Sequence, residues 1–427
     1  MEIADLYQKY LESGKVSTDT RQITSGSVFF ALKGPSFNAN EFAAEALSKG
    51  ASHAVIDDVR YKLNDRCILV DDSLQALQDL ARFHRSKLSI PFLALTGSNG
   101  KTTSKELVRD VLSKKFRTLA TRGNLNNHIG VPLTLLSVDA THEIAVIEMG
   151  ANHVGEIAAL CSIANPTHGF ITNIGKAHIG TFGGFDNIIR GKSELYQHLI
   201  TNDGTVFINS QNPILANMAK RFKDPFFYPA KGNYYHCEFK GADPYIVLQA
   251  ENGEIITSQL IGSYNFENIS VALCIGKYFG VAAQDANAAI AAYVPGSMRS
   301  EVKQKGTNTI ILDAYNANPS SMEAALNNLS GMKGSRKVAI LGDMYELEGE
   351  TEAEHVRIGT LLKDKKITEA WLCGPYMKSA LKNFPSAMHF ETRDALIAEL
   401  KAHPISGAIV LIKASRGMAL EKIVEFI

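Results

Sequence analysis

One short segment, residues 92–103, constrains the fold of this chain more than any other stretch. Its first four residues are apolar and predict a short buried strand. A glycine-bracketed turn follows, and a Lys-Thr pair then opens a predicted amphipathic helix. The key positions are Gly97, Gly100, Lys101 and Thr102, and the apolar face of the helix consists of Leu107, Val108, Val111 and Leu112. A strand, a glycine turn and a helix in this order predict an α/β sheet with a phosphate-binding loop at a strand end.

The residues of this loop suit phosphate chemistry. Glycines let backbone N–H groups approach phosphate oxygens, and the helix N-terminus adds partial positive charge. Lys101 can reach the β- and γ-phosphates, and the Thr102 hydroxyl can bind Mg²⁺. The general P-loop pattern has a further glycine where this chain has Leu95, so the loop is shorter and spans residues 96–103. An ordinary strand-to-helix loop is the alternative interpretation.

The bulk properties exclude several classes of protein. The chain has 427 residues, with 44 basic and 44 acidic side chains, so we expect no electrostatic grip on nucleic acid. No apolar run is long enough for a membrane helix, and the first residues lack the apolar core of a secretory signal. The five cysteines are widely spaced, which favours buried thiols in a reducing cytoplasm. We therefore expect a cytoplasmic protein of two to four domains.

The order of strand and helix signals predicts three α/β domains. Residues 1–88 form a small N-terminal domain of short strands and helices. Residues 89–296 form a central domain with a mostly parallel sheet, because helical stretches separate its strands. A hairpin at residues 245–260 is expected as an antiparallel addition to that sheet. Residues 297–427 repeat the alternation as a Rossmann-like domain, which is expected to end in a helix from about Met418.

Polar groups follow three predicted strands of the central domain. Thr102 follows the first strand, Glu148 the second and His178 the third. Ligands of open α/β sheets bind beyond the carboxyl ends of the strands, so these side chains are candidates for one site. Glu148 occupies the place of a Walker-B acid and is a candidate Mg²⁺ ligand, although a solvated strand-end carboxylate is the alternative. His178 lies in a loop with two glycines, which favours a functional role.

Two segments are unusually rich in asparagine. Residues 123–130 contain three asparagines within four positions, ahead of an apolar helix, which suggests hydrogen bonds to a polar ligand. Asn265 and Asn268 stand three residues apart at a predicted helix start and share one face. Helix capping would account for one of these two, and recognition of a nucleotide base is the alternative.

Six further stretches stand beside the short phosphate loop: residues 18–21 with 26–34, 123–130, 148–151, 313–319, 341–344 and 413–418. Together with the loop they resemble the Mur ligase family, the ATP-dependent amide-bond formers of bacterial cell-wall synthesis. They span nearly the whole chain in the order of the family. The chain departs from the common family pattern at Asn40, Ala314, Glu348 and Ala414, none of which is a phosphate or metal position.

The resemblance implies a reaction and its cofactors. Within the family the chain is similar to enzymes that add D-alanyl-D-alanine to UDP-N-acetylmuramoyl-tripeptide, using ATP and two Mg²⁺ ions. It also implies that CO₂ converts Lys192 to a carbamate that holds the second Mg²⁺; without the resemblance, Lys192 would be a solvated helix charge. The implied catalytic and metal groups are Lys101, Thr102, Glu148, His178 and Lys192.

The resemblance also implies three binding regions. ATP would bind Thr96, Gly97, Ser98, Asn99, Gly100, Lys101, Thr102, Thr103, Asn265, Asn268, Arg299, Asp313 and Asn316. The UDP-substrate would bind Thr18, Asp19, Arg21, Lys33, Asn126 and Asn127. The dipeptide side would consist of Asp343, Ser415 and Arg416. A monomer is expected.

Other functions remain open at this stage. A sister ligase that adds a single amino acid, or a folylpolyglutamate-type ligase, would share the central domain. Residues 18–34 argue against the folate alternative, because they match a UDP-binding segment. A P-loop switch or binding module would hydrolyse ATP slowly without any amine, and it would need neither Lys192 nor a complete C-terminal domain.

Overall fold

The first sheet of the chain is a small parallel sheet near the N-terminus. The structure is a computed structural model that describes residues 2–296 and 298–427, so the predicted domain limits at Met1 and Ser297 lie outside the described residues. The four parallel strands have the order β1-β2-β5-β6, and β3 and β4 form a separate two-stranded ribbon. The elements are α1 (Ile3–Ser13), β1 (Val16–Ser17), β2 (Val28–Phe30), β3 (Lys33–Gly34), β4 (Phe37–Asn38), α2 (Ala43–Ser48), β5 (His53–Ile56), β6 (Cys67–Leu69) and α3 (Ser73–Ser86).

The strand that precedes the glycine turn lies inside a six-stranded parallel sheet, with the order β12-β11-β10-β7-β9-β8. The elements of this part are β7 (Phe92–Thr96), α4 (Lys101–Leu112), β8 (Thr118–Ala120), α5 (Gly130–Leu135), β9 (Ile144–Glu148), α6 (Glu156–Ala164), β10 (His168–Ile171), α7 (Ile179–Phe182), α8 (Phe185–Thr201), β11 (Thr205–Asn209), α9 (Pro213–Ala219) and β12 (Phe226–Tyr228). The predicted mostly parallel sheet is therefore confirmed. The apolar face of α4 is fully buried and packs in one core with Leu93 and Leu95 of β7, which points the start of α4 beyond the sheet.

The predicted hairpin forms, but not as an addition to the central sheet. It pairs instead with a strand that the sequence did not predict, in a separate antiparallel sheet of order β13-β14-β15. Its alternate residues Ile246, Leu248, Ile256 and Leu260 are buried in the same core as helices α10 and α11. The apolar face that alternation creates on the hairpin therefore packs against α10 and α11, and the hairpin does not extend the edge of the central sheet. The elements are β13 (Glu238–Ala242), β14 (Tyr245–Gln249), β15 (Ile255–Ile261), α10 (Asn265–Tyr278) and α11 (Ala283–Ala292).

The C-terminal part contains a second six-stranded sheet, with the order β16-β17-β21-β18-β19-β20. Its strands are parallel except β16, an antiparallel edge strand that the sequence did not predict. The predicted final helix is wrong as an α-helix, because two short 3₁₀ segments flank Ala419, which has a left-handed φ of 51°. The elements are β16 (Glu301–Lys305), β17 (Asn308–Leu312), α12 (Pro319–Gly331), β18 (Lys337–Gly342), α13 (Thr351–Asp364), β19 (Glu369–Cys373), β20 (Met388–Phe390), α14 (Arg393–Ala402) and β21 (Ile409–Lys413).

No helix in the described ranges combines the length and apolar character needed to cross a bilayer.

Candidate active site

The glycine loop packs so tightly that an added side chain at two of its positions would overlap a neighbouring side chain. Gly97 has φ of 146°, and a Cβ atom there would lie 2.0 Å from the Thr172 hydroxyl oxygen. Gly100 has φ of 77°, and a Cβ atom there would lie 2.5 Å from the Asn268 side-chain oxygen. Both φ angles lie where L-residues with a side chain are strained. The loop is therefore pressed between β10 and α10.

Residues after β10 hold the loop in place. The Ser98 hydroxyl donates to the Gly175 carbonyl at 2.8 Å, and the Thr172 hydroxyl donates to the Asn99 carbonyl at 2.7 Å. The Asn99 N–H group donates to the side-chain oxygen of Asn173 at 3.0 Å. These bonds hold Ser98 and Asn99, which precede the helix, and do not involve the N–H groups of residues 100–103.

The first turn of α4 presents donors without acceptors. Across residues 2–296 and 298–427, no protein acceptor receives the N–H groups of residues 100–103. The Lys101 ammonium folds back and donates to the Gly97 carbonyl at 2.7 Å and the Ser98 carbonyl at 3.3 Å. Burial lowers the pKa of Lys101 from its usual value. Free N–H groups at a helix N-terminus, together with a lysine, suit an anion such as phosphate.

Glu148, at the end of β9, faces the phosphate loop from the neighbouring strand. Its side chain is only 1% exposed. Oε1 accepts hydrogen bonds from the Asn126 amide at 2.8 Å and the Thr102 hydroxyl at 3.3 Å. Oε2 is buried and receives no hydrogen bond from the residues that the structure describes, although the Lys105 ammonium lies 3.4 Å away. A buried carboxylate oxygen with spare capacity, beside a threonine hydroxyl, fits an oxygen-preferring cation such as Mg²⁺.

Acidic, histidine and cysteine side chains do not form a metal cage on their own. No group of three such side chains in the described ranges stands close enough to hold a cation. His178 has a left-handed φ of 56°, and its Nδ1 atom contacts a carboxylate oxygen of Glu346, whose pKa this contact lowers. A cation here would need Thr102 or a chemically altered Lys192 as additional ligands.

Lys192 is not the solvated charge that its helical position suggested. It is 1% exposed, and its ammonium nitrogen donates to the Ala151 carbonyl at 3.1 Å and lies 5.1 Å from the centre of the Phe182 ring. Burial, assisted by the positive charge of Lys101, lowers the pKa of Lys192 to about 7. A substantial fraction of the side chain is therefore a neutral amine at neutral pH, which is the form that reacts with CO₂.

The C-terminal part brings a second polar cluster to the same region. The Arg299 guanidinium carbon lies 3.6 Å from the centre of the Tyr315 ring. Asp313 accepts from the buried Lys413 ammonium at 2.6 Å and from the Ser300 N–H group at 3.2 Å. Lys413 also donates to the Asn316 carbonyl at 3.2 Å. Lys413 thus connects Asp313 to Asn316, two of the residues predicted to bind ATP. The sequence motif at residues 413–418 did not indicate this role.

Direct contacts place this cluster over the phosphate loop. The Asn318 amide donates to the Asn99 side chain at 2.8 Å, and the Lys176 N–H group donates to the Ser320 hydroxyl at 2.9 Å. The Lys176 ammonium lies 2.5 Å from a carboxylate oxygen of Glu354. Loops of the central sheet and the N-terminal end of α12 therefore meet across the site.

A cavity of about 850 Å³ occupies the space between these elements. All three parts of the chain line it, including Gln78 and Arg82 of α3. The predicted residues that it brings together are Ser98, Asn99, Gly100, Lys101, Thr102, Thr103, Asn126, Asn127, Glu148, His178, Asn265, Asn268, Arg299, Asp313 and Asn316. The size suits a nucleotide together with part of a second substrate.

Comparisons with known proteins agree with this geometry. The family profile described as "Mur ligase middle domain" matches residues 95–276, and "Mur ligase, glutamate ligase domain" matches residues 298–416. The chain is 35% identical to the UDP-N-acetylmuramoyl-tripeptide–D-alanyl-D-alanine ligase of Bacillus subtilis, over 96% of this chain and 92% of that protein. The chain belongs to the Mur ligase family.

Solved structures extend the likeness to the whole fold of this Mur ligase. A crystal structure of MurF from Acinetobacter baumannii has a TM-score of 0.87 and 31% identity, over 96% of this chain and 92% of that one. MurF ligase from Thermotoga maritima in complex with ADP has a TM-score of 0.85 and 26% identity, over 97% of both chains. The three-part α/β architecture predicted from the sequence is therefore confirmed as a Mur ligase fold.

Other predicted residues lie outside the cavity lining of this Mur ligase. Lys192 is buried behind Ala151, and Thr96 and Gly97 lie beneath the loop surface. The predicted UDP-side residues that do not line the cavity are Thr18, Asp19, Arg21 and Lys33. Arg21 pairs with Asp19 on the surface at 2.7 Å, and Lys33 pairs with Asp57 at 2.8 Å.

The three predicted dipeptide-side residues also lie apart from the cavity lining. Asp343 is 1% exposed and accepts from the Met377 N–H group at 2.8 Å, and burial raises the pKa of its carboxyl group. The Ser415 hydroxyl accepts from the Tyr345 N–H group at 2.9 Å, and Arg416 lies 3.6 Å from Glu421. In this conformation Asp343 and Ser415 organise the turns after β18 and β21.

Asn265 and Asn268 connect α10 to the phosphate-loop helix in this Mur ligase. The Asn268 amide donates to the Asn265 side-chain oxygen at 2.7 Å, and the Ser104 hydroxyl donates to the Asn268 oxygen at 2.8 Å. Neither side chain caps α10, since the Asn265 amide donates instead to the Ile261 carbonyl at 2.9 Å. The shared helix face predicted from their spacing is confirmed, and the proposed capping role is wrong.

Proposed function

We propose that this Mur ligase joins D-alanyl-D-alanine to UDP-N-acetylmuramoyl-tripeptide in the cytoplasm, at the expense of ATP. The observation that carries the proposal is the cavity in which a phosphate loop, the buried Glu148 carboxylate and the Arg299–Asp313 cluster face one another. The name and the nearly complete coverage of the Bacillus subtilis relative support the substrate assignment. We propose a monomer as the active form.

The reaction proceeds in two transfers. A carboxylate oxygen of the tripeptide attacks the γ-phosphorus of ATP, the bond from phosphorus to the ADP oxygen breaks, and an acyl phosphate forms. The amine of D-alanyl-D-alanine then attacks the acyl carbon, loses a proton, and expels inorganic phosphate. Two anions must meet in the first transfer, so the site has to offset their repulsion.

The phosphate loop and α4 bind the triphosphate in this proposal. The free N–H groups of residues 100–103 donate to phosphate oxygens, and Lys101 exchanges its two loop carbonyls for the β- and γ-phosphates. Thr102 and Glu148 would hold one Mg²⁺, since both offer oxygen atoms at one point of the cavity. Bound Mg²⁺ supplies positive charge that is worth several kcal/mol to phosphoryl transfer.

Lys192, as a carbamate, and His178 would hold the second Mg²⁺ in this proposal. Because its pKa is lowered, part of Lys192 is a neutral amine. The nitrogen of this amine would bond to the carbon of CO₂ and lose a proton, which leaves a carbamate. Carbamylation turns a cation that repels metal into a group with carboxylate-like oxygens. His178 would exchange its contact with Glu346 for this role.

The three domains, which we place at residues 1–88, 89–296 and 297–427, each hold one substrate. The N-terminal domain binds the UDP end through Thr18, Asp19, Arg21 and Lys33, with Asn126 and Asn127 of the central domain. Asn265 and Asn268 on one side, and Arg299, Asp313 and Asn316 on the other, enclose ATP. Asp343, Ser415 and Arg416 lie on the dipeptide side.

Closure of the three domains aligns the reactants, which lowers the barrier by roughly 7–11 kcal/mol, and keeps water from the acyl phosphate.

Phosphate release with product mass tests the proposal. ATP and UDP-N-acetylmuramoyl-tripeptide are supplied with D-alanyl-D-alanine, with a single amino acid, or with no amine. We expect sustained release only with the dipeptide, and a product heavier by the dipeptide minus water. Turnover with single amino acids instead would identify a sister ligase, and release that is indifferent to amines would identify an NTPase module.

A further inference from the structure

Lys105 is a fully buried cation that the proposed reaction leaves without a task. It lies on α4, three residues after Thr102, and its side chain is 1% exposed. Its ammonium nitrogen donates to the Gly123 carbonyl at 2.8 Å and lies 3.4 Å from Oε2 of Glu148. Lysine is among the residues least often fully buried, so a buried pair of this kind calls for an explanation.

The two partners of Lys105 belong to two different parts of the site. Gly123 begins the asparagine-rich loop at residues 123–127, and Glu148 ends β9. The same loop reaches Glu148 a second time, because the Asn126 amide donates to Oε1 at 2.8 Å. The Gly150 N–H group in turn donates to the Asn126 carbonyl at 2.8 Å. Lys105 therefore closes a ring of contacts that joins the loop to the carboxylate.

We propose that Lys105 is a positioning residue that couples the substrate loop at residues 123–127 to occupancy of Glu148. This inference rests on the proposed function, which places UDP-substrate at Asn126 and Asn127 and a divalent cation at Glu148. When Glu148 gives an oxygen to a cation, charge repulsion favours movement of the Lys105 ammonium towards Gly123. The charge-assisted hydrogen bond from the Lys105 ammonium to the Gly123 carbonyl then becomes stronger. This bond holds the loop at residues 123–127 in its substrate-binding conformation.

The coupling predicts a sign that can be measured. Mg²⁺ with a nonhydrolysable ATP analogue should tighten the binding of UDP-N-acetylmuramoyl-tripeptide, by about tenfold, within the usual range of coupling between sites. The reverse factor must be equal, so UDP-substrate should tighten binding of the Mg²⁺–analogue complex by the same amount. Neither factor depends on turnover.

The experiment is a binding cycle on the wild type, Lys105→Met, Lys105→Arg and Lys115→Met. Lys105→Met keeps the length of the side chain and removes its charge, and Lys105→Arg restores a cation. Lys115→Met is the matched control, because the exposed Lys115 also donates to two backbone carbonyls, at 3.0 Å each, and pairs with no carboxylate within residues 2–296 and 298–427. Dissociation constants for UDP-substrate are measured with and without the Mg²⁺–analogue complex, alongside the thermal unfolding temperature.

The ratio of the two dissociation constants separates coupling from damage to the fold. We expect the ratio to fall from about ten to about one in Lys105→Met, to recover partly in Lys105→Arg, and to stay at the wild-type value in Lys115→Met. A folded Lys105→Met protein that keeps the wild-type ratio would overturn the inference, as would a wild-type ratio of one. If the wild type does not bind the UDP-substrate at all, the proposed function itself fails. Should Lys105→Met not fold, Lys105→Gln is measured by the same criterion.

Discussion

Gly97→Ala tests whether the tight packing of the phosphate loop, rather than its sequence pattern alone, creates the nucleotide site. The added methyl group would lie 2.0 Å from the Thr172 hydroxyl oxygen and 3.1 Å from the Thr172 backbone nitrogen. An ordinary carbon contact is about 3.5 Å, so the loop or β10 must move by more than about 1 Å. Rotation of the Thr172 hydroxyl would remove the overlap, but it would also break the hydrogen bond that this hydroxyl donates to the Asn99 carbonyl at 2.7 Å.

Two costs follow from this geometry. The φ of 146° is strained for alanine, which together with the clash should lower the free energy of unfolding by about 1–3 kcal/mol. A displacement of about 1 Å takes N–H donors of the loop out of hydrogen-bond range of phosphate oxygens, and each hydrogen bond to a charged group is worth about 1.5–3 kcal/mol. We therefore expect the dissociation constant of a Mg²⁺–ATP analogue to rise at least about a hundredfold.

Isothermal titration of the analogue and urea unfolding measure the two costs separately. Gly253→Ala is the matched control, since Gly253 also has a positive φ, of 85°, in a hairpin turn where no atom of the described part of the chain lies within 4 Å of the added carbon. This control should lose about 1–2 kcal/mol of stability and bind nucleotide like the wild type. Nucleotide affinity of Gly97→Ala within threefold of the wild type would refute the packing argument.

Three further outcomes are expected. Lys192→Ala should lower ligation at least about a hundredfold, and wild-type activity should fall in CO₂-depleted buffer and return with bicarbonate; an unchanged rate in the variant would contradict the second metal site. Glu148→Gln should raise the Mg²⁺ concentration needed for half-maximal turnover by about tenfold or more, and an unchanged Mg²⁺ titration would exclude Glu148 as a ligand. Burial lowers the pKa of His168 to about 4. The unfolded chain therefore binds a proton at His168 that the folded chain does not, so His168 by itself should lower the free energy of unfolding by about 2 kcal/mol between pH 7 and pH 5. Burial also lowers the pKa of His84, His198 and His355, so the total fall should be larger. Urea unfolding at both pH values should show a smaller fall in His168→Phe, and an equal fall would contradict this assignment.

Local patterns in the sequence predicted the elements that carry the site. The spacing of Leu107, Val108, Val111 and Leu112 predicted the buried face of α4, and all four side chains are fully buried. The strands that end near Thr102 and Glu148 were also predicted, because short apolar runs followed by polar loops are visible within a few residues. These signals depend on neighbours along the chain, so no knowledge of the fold was needed to read them.

Local patterns could not predict which elements pack together when those elements are far apart along the chain. The hairpin was predicted, but its sheet was wrong, because the choice between a sheet edge and the faces of α10 and α11 depends on how these elements pack. The burial of Lys105, Lys192 and Lys413 was also missed. Each lysine lies where residues far away in sequence close over it, and a lysine in a helix or strand pattern usually indicates an exposed position.

The sequence by itself determined the glycine loop with its Lys-Thr pair, the alternating α/β order and the family to which the chain belongs, since motifs and periodicity are properties of short segments. Only the tertiary structure decided which oxygen of Glu148 lacks a hydrogen bond and why Lys192 has a pKa of about 7. It also decided that Asn318 meets Asn99 across 219 residues of chain. These properties arise from desolvation and from distances between atoms of different elements, and both exist only once the chain has folded.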